Sequence, residues 1–149
     1  MRHTNSSAAF GGLKRVYQQG YRALGAVTAD PTTDNLHEWR KQAKYLWHQV
    51  QLLEGIRPKA MKELARRVHT LTQWLGDDHD LAVLRQKLTA DGKGPHGADG
   101  LNSFFDAIES RRDELRRKAI VLGQRVYRRG PKSFARRIKR PRTCGLSNP

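Results

Sequence analysis

Between Leu36 and Leu53 the chain reads LHEWRKQAKYLWHQVQLL. On a helix turning about 100° per residue, His37, Arg40, Lys41, Lys44 and His48 gather within roughly 100° of one another. Glu38 is the only acidic residue beside them. An ordinary solvated face mixes Glu with Lys at i,i+4, because such pairs gain a few tenths of a kcal/mol. This row leaves most of its charge unmatched, and its natural complement is an anion. A second row follows, with Lys62, Arg66 and His69 at i, i+4 and i+7 and with Lys59 and Arg67 near. Donors at helical intervals suit an anionic ligand. Arg grips two phosphate oxygens and Lys supplies an adaptable point charge. A histidine beside bound phosphate tends to take up a proton, which would strengthen binding below neutral pH. The plainer alternative is an exposed basic helix, and for His48 and His69 a surface or packing position is the simpler account.

Asp77-Asp78-His79-Asp80 is the other segment with chemical content. A His-Asp pair can hold a metal in a phosphohydrolase, but the site needs further ligands from other helices, for which only His37 or His69 could be guessed. Helix capping, with counter-charges that hold nearby Arg and Lys side chains, explains the segment with fewer assumptions. The sequence shows no glycine-rich phosphate loop, no nucleophile with a positioned base and no acidic constellation typical of Mg²⁺-assisted phosphoryl transfer. The single cysteine, Cys144, excludes an intramolecular disulfide and any CxxC motif. No catalytic residue, metal or cofactor is therefore expected.

The elements that must position these rows read as helices. Behind the first row, Leu36, Trp39, Ala43, Leu46, Val50 and Leu53 form one apolar stripe. Residues 1–11 read as a flexible leader. From Gly12 to near Gly25 a first helix carries Leu13, Val16, Tyr17, Gly20, Tyr21 and Leu24 at helical spacing, with Lys14, Arg15 and Arg22 on another face. Cap formers from Asp30 to Asp34 start the second helix, and Gly55 and Pro58 close it. Met61, Leu64, Val68, Leu71 and Leu75 mark a third helix that Gly76 is expected to cap. Asp77-Asp78 would then start another through Leu81, Leu84 and Leu88. Asp91 to Gly100, DGKGPHGADG, reads as a flexible connection. A long helix from Leu101 to about Arg128 is predicted to turn Phe104, Phe105, Ile108, Leu115, Leu122 and Val126 inward, with Arg111, Arg112, Arg116, Arg117 and Lys118 making its middle basic. A short helix on Phe134 and Ile138 and a disordered basic tail over 139–149 complete the reading. Strand signals are absent, so the fold class is all-α, an antiparallel bundle of about five helices in one domain over 12–138.

Lys and Arg number 29 against 14 Asp and Glu, a formal net charge of +15. From Arg111 onward there are 14 basic and 2 acidic residues. The broad cationic field is thus C-terminal, and the Leu36 cluster stands in a nearly balanced region. Such an excess suits a polyanion, so nucleic acid is an alternative partner. Against it, Trp39, Trp47 and Trp74 fall on or near apolar stripes, where core packing accounts for them better than base stacking. With neither a signal peptide nor a long apolar run, the protein is expected to be soluble and cytoplasmic, with no membrane partner.

Two segments together, LHEWRKQAKYLW at Leu36 to Trp47 and LTQWLGDDHDLAVL at Leu71 to Leu84, resemble the CHAD domain, the conserved histidine α-helical domain. GLKRVYQQGYRAL before them resembles the family's lead-in helix, and GPKSFARRI resembles its close, so the likeness runs from about Gly12 to Ile138. It implies binding of inorganic polyphosphate and association with polyphosphate granules. Transferred by motif, His37, Arg40, Lys41 and Lys44 form the binding face, with Lys14, Arg15 and Arg22 beside it; the basic rows add His48, Lys62, Arg66, His69, Arg116 and Arg117. The family's domain is usually about twice this length, built as two similar halves around a basic cavity. This chain resembles the second half, with no upstream copy of the His-x-x-Arg-Lys pattern. That implies a fragment, a degenerate version, or a half-length one that homodimerises to supply the opposite wall, which is the working expectation.

Overall fold

The computed structural model describes residues 3–90 and 97–139, with side chains over 8–90 and 101–139. Five helices follow in order: α1 (His3–Ala29), α2 (Thr33–Glu54), α3 (Pro58–Ala90), α4 (Gly97–Val126) and α5 (Pro131–Lys139). No strand occurs among the described residues. Each of the four long helices packs on the next, α4 also reaches α1, and α5 lies against α1. The short α1–α2 and α2–α3 connections make those neighbours antiparallel.

Capping fixes where α2 starts. The Thr32 hydroxyl accepts from the Asn35 N–H at 3.2 Å, and the Asn35 side chain donates to the Asp30 carbonyl at 2.8 Å. At the other end the N–H groups of Ile56 and Arg57 turn back to the Leu53 carbonyl, and Pro58 opens α3 at a position where its missing N–H costs nothing. Between these ends Trp39, Ala43, Leu46, Val50 and Leu53 are fully buried. At roughly 1.5–3 kcal/mol for each large apolar side chain, this stripe is the main force fixing the rotation of α2.

Two glycines allow close approach. A Cβ on Gly123 of α4 would stand 2.6 Å from Trp39 Cζ2, and one on Gly20 of α1 would overlap the Tyr127 hydroxyl. Trp39 Nε1 and Tyr127 Oη are buried there without a hydrogen bond of ordinary geometry. Burial pushes the Tyr127 phenol up, and the nearby Trp39 N–H offsets only part of this. Tyr17 on α1 donates to the carbonyls of Arg129 at 2.8 Å and Val126 at 3.2 Å, and its ring stacks on Phe134 of α5 at 3.7 Å between centroids. Arg57 donates to the Ile138 carbonyl at 2.7 Å, so α5 is held at both ends.

Several boundaries differ from the sequence reading. α1 begins at His3, inside the stretch read as a flexible leader, and passes Gly25 to reach Ala29. Ala9 and Phe10 pack on the core, and that burial carries the helix N-terminally. α3 is continuous through Gly76, which therefore caps nothing, and Asp77-Asp78 starts no new helix. A glycine inside a helix costs about 1 kcal/mol relative to Ala, which the packing of Leu75 and Asp78 on either side outweighs. One unbroken helix keeps the phase of Leu71 and Leu75, and in that phase Leu84 faces outward and is exposed. Tyr21 is also exposed. Of the predicted flexible connection, 97–100 are the first residues of α4, whereas 91–96 lie outside the described residues, as do 140–149 of the tail. Ile108, Leu115 and Val126 point inward as predicted, but Phe104 is exposed, because α1 meets α4 towards its other end, near Gly123.

Candidate anion-binding cleft

The start of α2, the C-terminal half of α3 and the middle of α4 enclose a cleft of about 240 Å³. His37 and Arg40 enter from α2, His79 from α3 and Arg112 from α4, and Leu36 and Leu75 supply apolar lining. The His37 and His79 rings stand 6.1 Å apart. Arg40 Nε is buried with no acceptor among the described residues. A shielded cationic donor without an acceptor is costly unless water or an anion satisfies it.

Asp78 decides the α4 side. Its Oδ1 accepts from Arg112 Nε at 3.0 Å and from Arg116 Nε at 3.1 Å, and the Asp78 and Arg112 side chains are only 7% and 10% exposed. Arg112 Nη1 also donates to Glu109 Oε1 at 3.0 Å, and the same oxygen takes Arg85 Nη1 at 2.6 Å. Burial works to raise the Glu109 carboxyl, but the hydrogen bonds from Arg85 and Arg112 outweigh it and hold the group below the ordinary carboxylate range. The chain Arg85, Glu109, Arg112, Asp78, Arg116 thus stitches α3 to α4. Charge-assisted bonds of this kind lock side-chain geometry more than they add net stability.

The cleft is not uniformly cationic. Asp34 and Asp78 line it together with Arg40 and Arg112. Asp78 is already shared by Arg112 and Arg116, so positive charge around the cleft exceeds what its lining carboxylates match.

A family model for the CHAD domain matches residues 4–89, more than half of the chain. The chain belongs to the CHAD domain family. Comparison with curated proteins and with solved structures found no match. The matched CHAD segment carries His37, Arg40, Asp78 and His79; it starts before Gly12, the start read from the sequence, and ends before α4, so Arg112 and Arg116 lie beyond it.

Only part of the sequence-predicted face of this CHAD chain converges. His37 and Arg40 line the cleft; Lys44 and His48 are exposed further along α2. Lys41 is tied to Glu38 at 2.6 Å, and hydrogen bonds from Lys41 and Gln42 hold the Glu38 carboxyl below its usual range. Arg66 is paired with Glu63 at 2.7 Å, and Lys62 is exposed. His69 stacks on Trp47 at 4.6 Å, which gives it a packing role. Lys14, Arg15 and Arg22 are exposed on α1 and do not line the cleft. Arg116 leans on Asp78, and Arg117 lines a separate depression beside Trp74.

Sequence reasoning did not place Asp78, His79 or Arg112 at the site. The first two were visible in the DDHD segment, read as capping, counter-charge or metal chemistry, and the counter-charge role is the one Asp78 takes. Asp77 and Asp80 are exposed, and no group of three or more His, Cys, Asp or Glu among the described residues is arranged to hold a metal. Arg112 carried no signal that separates it from Arg111. Within the single chain, α3 and α4 supply the other walls of the cleft that His37 and Arg40 line.

Proposed function

We propose that this CHAD protein binds inorganic polyphosphate without transforming it, seating phosphate groups in the α2–α3–α4 cleft. The observation that carries the reading is Arg40. Arg40 lines a cleft shared with two histidines and an arginine held in place by Asp78, and its buried Nε has no acceptor among the described residues. The family's link to polyphosphate supports the choice of ligand. A phosphate group offers oxygens on several sides, which suits donors arriving from three helices. Lys44 and His48 continue along α2 as exposed positions for the rest of the chain, and association with polyphosphate granules follows from such binding. On this reading Asp78 is a positioning residue whose acceptor oxygen is already engaged by two guanidinium groups.

The test is titration of the full chain with polyphosphate, comparing wild type with the double variant His37→Ala, Arg40→Ala. Affinity is expected to fall by at least about tenfold, equivalent to about 1.4 kcal/mol, with the helical content unchanged. Equal affinity in the double variant would remove the cleft from the mechanism. Incubation with Mg²⁺ or Mn²⁺ should leave polyphosphate length unaltered; shortening would make the protein an enzyme.

A further inference from the structure

Arg129, Ser133, Arg136 and Arg137 line a depression of about 430 Å³ at the α4–α5 corner, and none of them lines the cleft. Among the described residues these arginine side chains have no ion pair. Nor does the sequence nearby supply one: no Asp or Glu occurs from Leu115 to Lys139, and none in α1, the helix on which α5 rests. This contrasts with the middle of α4, where Glu114 pairs with both Arg111 and Lys118. Three guanidinium groups converging without a counter-charge repel one another unless an anion joins them.

The corner is also rigidly mounted. The Tyr17–Phe134 stack, the buried Ile138 and the Arg57 bond to the Ile138 carbonyl fix α5, and the Tyr17 bond to the Arg129 carbonyl fixes the turn before it. The backbone that carries the donors is thus fixed, and only the arginine side chains are ordered on binding. Phe134 and Tyr127 are buried, so no aromatic face at the corner is free to stack a base. What the corner can grip is an oxyanion such as phosphate.

We propose that the α4–α5 corner is a second phosphate-binding site, which a long inorganic polyphosphate occupies in addition to the cleft. The choice of polyphosphate rests on the function proposed above; the existence of the site does not, since it rests on the convergence of Arg129, Arg136 and Arg137 at one depression. Two separated sites on one chain convert the second contact into an intramolecular one, so affinity should rise with polyphosphate length.

The experiment is an NMR titration of the full ¹⁵N-labelled chain with tripolyphosphate, followed by affinity measurements with long polyphosphate. Amide signals of Ser133 and Arg136 should shift and saturate, as should those of His37 and His79. Arg136→Ala with Arg137→Ala keeps Phe134 and Ile138, and should abolish the Ser133 shifts and weaken long-chain binding about tenfold. Lys87→Ala with Arg111→Ala removes the same charge elsewhere and should change it less than about twofold. Silence at Ser133, or an equal loss in both double variants, overturns the second site. Shifts at Ser133 with none at His37 and His79 uphold it and overturn the cleft reading; the reverse pattern does the opposite. Displacement from the corner by duplex DNA as readily as by polyphosphate, at matched phosphate, overturns polyphosphate as its occupant.

Discussion

Asp78 has the most consequential side chain in the molecule outside the apolar core. Its carboxylate is shared by two arginines that sit half-desolvated between α3 and α4. Asp78→Ala leaves Arg116 without its carboxylate and Arg112 with Glu109 alone, and breaking a buried pair of this type costs roughly 3–5 kcal/mol; chemical denaturation should show a loss of that order. The histidines make a second prediction. Both rings line the cleft, so His37→Ala with His79→Ala should weaken polyphosphate binding; affinity equal to wild type in titration calorimetry would place the contact elsewhere.

For the helices, glycine separates two situations that sequence cannot distinguish. Gly76 lies inside α3, where an added Cβ meets nothing within 4 Å, whereas at Gly123 it would collide with Trp39. Gly76→Ala should therefore stabilise by up to about 1 kcal/mol, and Gly123→Ala should destabilise by about 1–3 kcal/mol or more. Thermal unfolding of the two variants reads both signs. Tyr17, which joins α1 to the end of α4, gives a pH prediction. Burial pushes its phenol from 10.0 up to about 12, with the Arg129 backbone offsetting part of the rise. The folded state thus holds this proton more tightly than the unfolded chain. The contribution is complete below about pH 10 and is lost as pH climbs towards 12. Tyr17→Phe should lower stability near neutrality, by leaving the Val126 and Arg129 carbonyls without their donor, and should reduce the alkaline fall in denaturation midpoint.

At the scale of the whole molecule, the charge of +15 sets how binding responds to salt. A polyanion that engages about four cations should release counterions, and affinity should drop by tens of fold between about 50 and about 200 mM salt. A weak salt dependence of polyphosphate titrations would argue that neutral hydrogen bonds, not charge, carry the contact. Among the described residues no helix is long and apolar enough to cross a membrane.

The helical period, the stripe from Leu36 to Leu53, the Thr32 cap and the inward side of α4 at Ile108 and Leu115 were all readable from local sequence, because each depends on spacing along one helix. So was the cationic row beginning at His37. Partner choice was not readable. Lys41 and Arg66 looked as free as Arg40, yet each has a carboxylate one turn away that its side chain reaches, whereas Arg40 Nε is enclosed without one. Gly76 followed by two aspartates carried every local mark of a helix boundary; burial of Asp78 against Arg112 and Arg116 kept α3 whole. Sequence determined that this protein is a helical bundle with a cationic helix at its centre. Only the tertiary structure decided which cations meet and what faces them, because ion pairing between helices depends on distances between residues 24 and more positions apart.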